Sequence, residues 1–237
     1  MTGASGISRL GRGLKRLLLG LVGLLLLYQL WLFCWVLWWG QVNPGATRFM
    51  DIRLAELRVK DPAAQLKKQW VDYANISLHL KRAVVAAEDD LFVHHQGFDW
   101  AGIQRAIEKN QRRGKIVAGG STISQQLAKN LFLSPEKTAW RKAQEAVLTL
   151  MIESVWSKQR ILEVYLNVIE WGVGVFGAEA AARHYYGISA ARLSADQAAR
   201  LAGMVPSPRF YDRNRNARGL ATRAASIRQR MAAAQLP

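Results

Sequence analysis

The sequence predicts a mainly α-helical protein carried behind one transmembrane helix, and three observations support that expectation. No charged side chain occurs between Leu17 and Trp39. Beyond that run, apolar residues recur with the 3.6-residue period of a helix. Strand-type alternation never persists long enough to propose a sheet. With 237 residues, half of them hydrophobic, the chain can bury one good core and at most a small satellite lobe.

The first element is the span LLLGLVGLLLLYQLWLFCWVLWWG, which follows Arg9, Arg12, Lys15 and Arg16. It exceeds the roughly 20 residues a helix needs to cross a bilayer, and only Gln29 within it is clearly polar. Trp31, Trp35, Trp38 and Trp39 gather toward its C-terminal end, where indoles prefer the headgroup boundary. Basic residues flank the other end, so the N-terminus is expected in the cytoplasm and residues from about 45 onward outside that membrane. The run is longer than the roughly 7–15 apolar residues of a cleaved signal peptide, and no small-x-small site follows it directly.

Lys and Arg number 33 against 17 Asp and Glu, a formal charge of +16. That excess favours anionic partners. The topology selects among them: a basic domain on the outer face of a membrane meets lipid phosphates or a lipid-linked substrate, so membrane lipids are expected partners and nucleic acid is not. Cys34 is the sole cysteine, which rules out an intrachain disulfide framework or a Cys-based zinc site.

After a short linker, VNPGATRF, broken by Pro44 and Gly45, a helix is expected over residues 75–88, with Glu88 near its end. Gly114, Gly119 and Gly120 mark a loop, and a new helix should open at Thr122, which with Gln125 has the spacing of a capping box. Ser134-Pro135-Glu136 reads as another helix start, the helix running to about Trp156. A further helix covers Lys158 to Asn167, a glycine-rich turn spans Gly172 to Gly177, and a cap at Ser194 and Gln197 precedes AARLAGMV. Residues 209–230 hold seven arginines against the single acid Asp212; this is either a solvated basic helix or a surface lying on anionic headgroups.

The chemistry concentrates in EDDLFVHHQG, residues 88–97. His94-His95 has the composition of a metal pair, but adjacent side chains on regular structure diverge and no HExxH-type pattern is present; a hydrogen-bonding role for His95 in the loop is the simpler reading. On the helix from Thr122, Gln125 and Lys129 lie four apart with Ser121 at the exposed end, and Arg141 and Glu145 lie four apart on the next, with Lys142 alongside. As an isolated exposed pair, Arg141 and Glu145 would contribute about 0.3–0.5 kcal/mol. If these faces converge with Glu88, they form a cleft of carboxylates and cations suited to deprotonating a hydroxyl while a phosphate-bearing group departs. Gly119-Gly120, before a helix N-terminus, is either a phosphate-cradling loop or a plain turn.

In order along the chain, EDxxFxxHxG (Glu88-Asp89, Phe92, His95, Gly97), GGSTISQQLAKN (119–130), RKxxE (141–145), KxxILExYLN (158–167) and EWGVGVFGAEAAARHYYG (170–187) resemble the family 51 glycosyltransferases, the peptidoglycan glycosyltransferases, and among them the monofunctional members. The resemblance implies a mainly α, lysozyme-like two-lobed domain and polymerisation of lipid II into β-1,4-linked glycan with inversion. It implies Glu88 as general base, with Glu145 near the donor diphosphate. Lys129, Arg141 and Lys142 would face that diphosphate, and Ser121, Thr122, Gln125 and Gln126 would line the donor side. Asp89, Phe92, His95, Glu163 and Asn167 would support the site. No cofactor is required, although a divalent cation, Mg or Mn, could sit at the donor diphosphate. Partners are lipid II, the growing glycan chain, membrane lipids and a place for cell-wall synthesis or division proteins, at the bacterial inner membrane with a periplasmic catalytic domain. Expected boundaries are a cytoplasmic N-terminus (1–16), the span (17–39), a linker and membrane-proximal segment (40–70), the glycosyltransferase domain (71–210) and a basic tail (211–237). Residues 98–116 are expected as a mobile membrane-facing lobe. Ser134-Pro-Glu-Lys137 matches SxxK by chance and no KTG follows, so penicillin binding is not expected.

Overall fold

The computed structural model describes residues 4–115 and 119–237, with side chains from Gly13 onward. Ile116, the last residue of the expected membrane-facing lobe, lies outside the described residues. The chain forms two units, Met1–Val42 and Asn43–Pro237.

The first unit is one helix, α1 (Ala4–Gln41). Its 29-residue stretch Gly13–Gln41 is long and apolar enough to cross a membrane. At about 1.5 Å per residue the stretch reaches roughly 44 Å, more than the ~30 Å hydrocarbon core. Tyr28, Trp31, Trp35 and Trp39 fall on one face at three- and four-residue spacing, and their rings touch in sequence at 6.1, 6.5 and 5.2 Å.

The second unit opens with α2 (Arg48–Arg58), capped by the Thr47 hydroxyl, which accepts from Met50 N. Helix α3 (Leu78–Glu88) begins three residues later than periodicity suggested. Ser77 sets the start: its Oγ accepts from His79 N and donates to Leu193 O, while residues 73–75 make a separate 3-10 turn. Helix α4 (Trp100–Arg113) is capped by Asp99, and α5 (Ile123–Phe132) carries the predicted Thr122–Gln125 capping box.

Helix α6 (Ala139–Val155) corrects the sequence expectation. Thr138, not Ser134, accepts from a first-turn N–H, that of Arg141, so Pro135 and Glu136 stay in the preceding loop. Two good caps lie within four residues of each other, and spacing alone does not choose between them.

Helix α7 (Lys158–Val168) is followed by a hairpin where a glycine-rich turn was expected. Its strands β2 (Glu170–Gly172) and β3 (Val175–Phe176) pair antiparallel, and β1 (Lys67–Lys68) adds parallel to β3, giving the order β1-β3-β2. Strands of two or three residues, with every β2 and β3 position buried, leave no alternation to read. Gly177 turns the hairpin into α8 (Ala178–Tyr186) at φ 86°, where a Cβ would meet Asn167 O at 2.8 Å. Helices α9 (Ala195–Met204), α10 (Pro208–Arg213) and α11 (Arg218–Arg230) complete the unit.

The core forms where α9 lies between α3 and α11, and where α5 packs on α6 and α7. Leu80, Val84, Ile123, Leu127, Leu148, Ile161 and Leu201 are fully buried there. Residues 211–237 are therefore not an appended tail: Leu220, Ile227 and Met231 anchor them in the core, and the arginines occupy the remaining faces of α11. Three buried apolar residues among six arginines make too sparse a stripe to separate a docked helix from a solvated one.

Truncating one of these anchors tests whether α11 is integral. Ile227→Ala should cost about 2–4 kcal/mol in chemical denaturation of the full chain in detergent; an unpacked tail would lose nothing measurable.

Candidate active site

Glu88 is the last residue of α3 and is half-buried at the cleft. It borders a cavity of about 1000 Å³ together with Ser121, Gln126, Pro206, Arg223 and Arg230, and a smaller one of about 390 Å³ with Asp90, Arg105, Lys109 and Gly120. Gln126 Nε2 donates to Glu88 Oε2 at 2.8 Å, and the Tyr165 hydroxyl donates to Gln126 Oε1 at 2.9 Å. Tyr165 fixes which end of the amide faces the acid. Burial, reinforced by the charges of Glu88 and Asp89, raises its phenol well above the ordinary range, so it remains a donor.

Burial also raises the Glu88 carboxyl above its ordinary pKa, and the Asp89 charge adds to this. The Gln126 hydrogen bond and the positive fields of Arg223 and Lys129 pull it partway back. The net effect is a carboxylate with enhanced proton affinity, as a general base requires.

Asp89, next in sequence, is buried and serves as a joint. Its carboxylate accepts from His95 Nε2 at 2.9 and 3.1 Å and from Ile123 N, the first residue of α5, at 3.0 Å. A negative charge at a helix N-terminus is favourable in itself. The Thr122 hydroxyl donates to Gly97 O at 2.7 Å, tying the same helix start to the loop. Gly97 lies at φ 87°, and a Cβ there would meet Thr149 Cγ2 at 2.7 Å.

Glu145 on α6 is 3% exposed. Arg141 Nη1 donates to its Oε2 at 2.5 Å and Lys142 Nζ to its Oε1. Lys142 also reaches Ser121 Oγ at 3.4 Å. Lys129 on α5 lies within the fields of Glu145, Arg141, Glu88 and Lys142; burial lowers its pKa first, and the two glutamates oppose that. It opens with Gln126 and Asn130 onto a third cavity, of about 480 Å³.

The structure thus brings together Glu88, Ser121, Gln126, Lys129, Arg141, Lys142 and Glu145, with Asp89 and His95 behind them. Phe92 is fully buried beside them, its ring edge-on to His95 at 6.4 Å and 4.7 Å beneath Lys158 Nζ. Gln125 departs from its expected place on the cleft wall. Its Oε1 accepts from Thr122 N in the capping box and it is 4% exposed, so the cleft face of α5 is Gln126 and Lys129, three apart. Thr122 is likewise buried as the cap, at the edge of the smaller cavity.

Glu163 and Asn167 support the fold at a distance. Glu163 accepts from Tyr73 N, and Asn167 pairs with both backbone polar groups of Val71, pinning the segment before α3 onto α7. Tyr165 falls inside the KxxILExYLN block, but nothing in its spacing singles it out, and Arg223 and Arg230 are hidden in what reads as a tail. Asp90 is exposed. Among the described residues no group of three or more His, Cys, Asp or Glu side chains could hold a metal ion.

A family model described as transglycosylase matches residues 55–232. A biosynthetic peptidoglycan transglycosylase of Dechloromonas aromatica (strain RCB) is 70% identical over 228 residues, covering 96% of this chain and 99% of that protein. Proteins of the same name from Aromatoleum aromaticum and Chromobacterium violaceum are 62% and 58% identical, covering 95% and 96% of this chain and 98% and 100% of their own lengths.

The two carboxylates should respond oppositely to substitution. The raised folded-state pKa of Glu88 means its protonated form is the one folding favours, so its contribution to stability falls as pH rises through that value. Glu88→Gln should therefore melt at or above the parent at neutral pH, with the difference shrinking on acidification. Glu145→Ala strands Arg141 and the half-exposed Lys142, and should cost about 2 kcal/mol in the same melts.

Proposed function

This chain belongs to the transglycosylase family, and we propose that it is a peptidoglycan glycosyltransferase that polymerises lipid II, with Glu88 as its general base. The observation that carries the reading is a carboxylate of raised pKa at the end of α3, in a cleft whose neighbouring walls present Lys129 and the Arg141–Glu145–Lys142 group.

Glu88 Oε2 is held by Gln126, which leaves Oε1 for the 4-hydroxyl of the incoming lipid II. As the hydroxyl proton passes to Glu88, its oxygen attacks the anomeric carbon of the growing glycan. The carbon–oxygen bond to the diphosphate breaks on the opposite face, and its electron pair departs with undecaprenyl diphosphate. The α-linkage becomes β, the inversion expected of direct displacement. Charge grows on the leaving diphosphate, and cations already in place stabilise it with little reorganisation. Lys129, Arg141 and Lys142 fill that role. Glu145 holds the latter two in register and offsets their mutual repulsion, and Ser121 orients Lys142.

A Mg or Mn ion fits the side chains poorly as a protein-held cofactor, because both oxygens of Glu145 already accept from cations. We assign it no step; such an ion would draw its ligands from the diphosphate. Ser134-Pro-Glu-Lys137 sits in the loop before α6, and the sequence holds neither SxN nor KTG, so no acyl transfer is assigned to it. The apolar helix with basic residues before it supports a single inner-membrane span, N-terminus cytoplasmic and residues 43–237 periplasmic, where lipid II, nascent glycan and membrane lipids are the partners, and cell-wall synthesis or division proteins have access.

Polymerisation of labelled lipid II in detergent tests the reading. The parent should yield glycan chains, and a folded Glu88→Gln protein should be slower by roughly a hundredfold or more. Polymer from Glu88→Gln at the parental rate would exclude Glu88 as the base.

A further inference from the structure

We propose that Tyr165 is a positioning residue for the base: by donating to Gln126 it holds the amide with its N–H toward Glu88 and so favours the ionised, correctly turned carboxylate. The inference rests on the reading of Glu88 as the base, and it adds a residue of α7 that acts on the base through a neighbour.

The first ground is geometry. Tyr165 is fully buried where α7 packs on α5, and its hydroxyl donates to Gln126 Oε1 at 2.9 Å. Gln126 Nε2 in turn donates to Glu88 Oε2 at 2.8 Å. Side chains from α7, α5 and α3 thus form one line of hydrogen bonds that ends on the carboxylate. An amide can present either end. Turned over, Gln126 would donate to the phenol and set Oε1 against Glu88 Oε2, an arrangement that suits Glu88 only when it carries a proton. The same turn would leave the phenol O–H buried without an acceptor, since among the described residues Tyr165 has no second hydrogen-bond partner. Amide direction and base protonation are therefore one equilibrium, and a donating phenol biases it toward the ionised base.

The second ground is the direction in which α7 spends its polar groups. Glu163 and Asn167 share one face and hold the segment before α3, through Tyr73 N and Val71. Tyr165 is two positions from each, about 200° around the helix, and its hydroxyl points to the cleft side. Packing alone would be met by a Phe in this position.

The third ground is electrostatic. The ionised forms of Glu88 and Asp89 raise the phenol further above its ordinary range, so an ionised base and a protonated, donating Tyr165 support each other. The other charges facing Glu88 are Asp89 beside it, Lys129 on α5 and Arg223 on α11. Arg230 on α11 borders both cavities that Glu88 reaches, and Asp90, with Asp99, Arg105 and Lys109 at α4, borders the smaller one. Removing one phenol oxygen leaves all of these in place, so a change in Glu88 ionisation reads the relay and not the field around it.

The test uses the full chain in detergent with labelled glutamate carboxyls, and follows the Glu88 titration without substrate alongside the pH profile of lipid II polymerisation. Tyr165→Phe should move the Glu88 midpoint, and the acid limb of the rate with it, upward by about half to one pH unit, with the KM for lipid II little changed. A difluorotyrosine installed at position 165, a stronger donor of nearly the same shape, should move both the other way. It retains the ring and its packing, so it gives the readout even where Tyr165→Phe melts low. In a Gln126→Met background, Tyr165→Phe should produce no further shift. An unchanged Glu88 midpoint in folded Tyr165→Phe overturns the proposal, as does an equal shift in the Gln126→Met background. A rate loss uniform across pH would make Tyr165 a packing residue and equally overturn it. Absence of polymer from the parent would show separately that the polymerase reading fails; the Glu88 midpoint, read without substrate, still decides whether Tyr165 controls this carboxylate.

Discussion

The cleft depends on one buried carboxylate, that of Asp89. By accepting from the first N–H of α5 and from His95, it joins the end of α3 to the start of α5. Glu88 precedes this joint by one residue and Lys129 follows it by less than two helical turns. Their common approach to one cleft is thus set by backbone geometry rather than by a contact between them. The Thr122–Gly97 bond and the capping box secure the same helix start from the other side. A displaced α5 would carry both Gln126 and Lys129 away from Glu88, so the acid would lose its amide donor and its cation together.

Around that joint the site divides labour between two glutamates by environment. Glu145 is saturated by Arg141 and Lys142, so it organises cations and has no free oxygen for a substrate proton. Glu88 has no ion pair among the described residues, accepts from a neutral amide, and is desolvated. Its proton affinity rises while cations nearby keep the ionised form accessible. The same residue type is a desolvated, proton-seeking carboxylate in one setting and a scaffold for cations in the other.

Much of this was legible in the chain. The span, the end of α3 at Glu88 and the caps at Thr122 and Ser194 follow from local chemistry that acts within four residues. What was not legible depends on longer-range competition. Ser134 and Thr138 both could cap α6, and the tertiary context chose Thr138. Gln125 and Gln126 are neighbours of one type, and only the capping bond shows which turns inward. The strands are too short and too buried to alternate, and Leu220, Ile227 and Met231 were too few among arginines to announce a docked helix.

The most direct measurement follows the Glu88 side-chain carboxyl by NMR across pH in selectively labelled protein, alongside the rate of lipid II polymerisation. The structure predicts that Glu88 titrates above the ordinary glutamate range and that its midpoint coincides with the acid limb of the rate. A Glu88 that titrates in the ordinary range, with the rate governed by another group, would contradict the assignment of this desolvated carboxylate as the base.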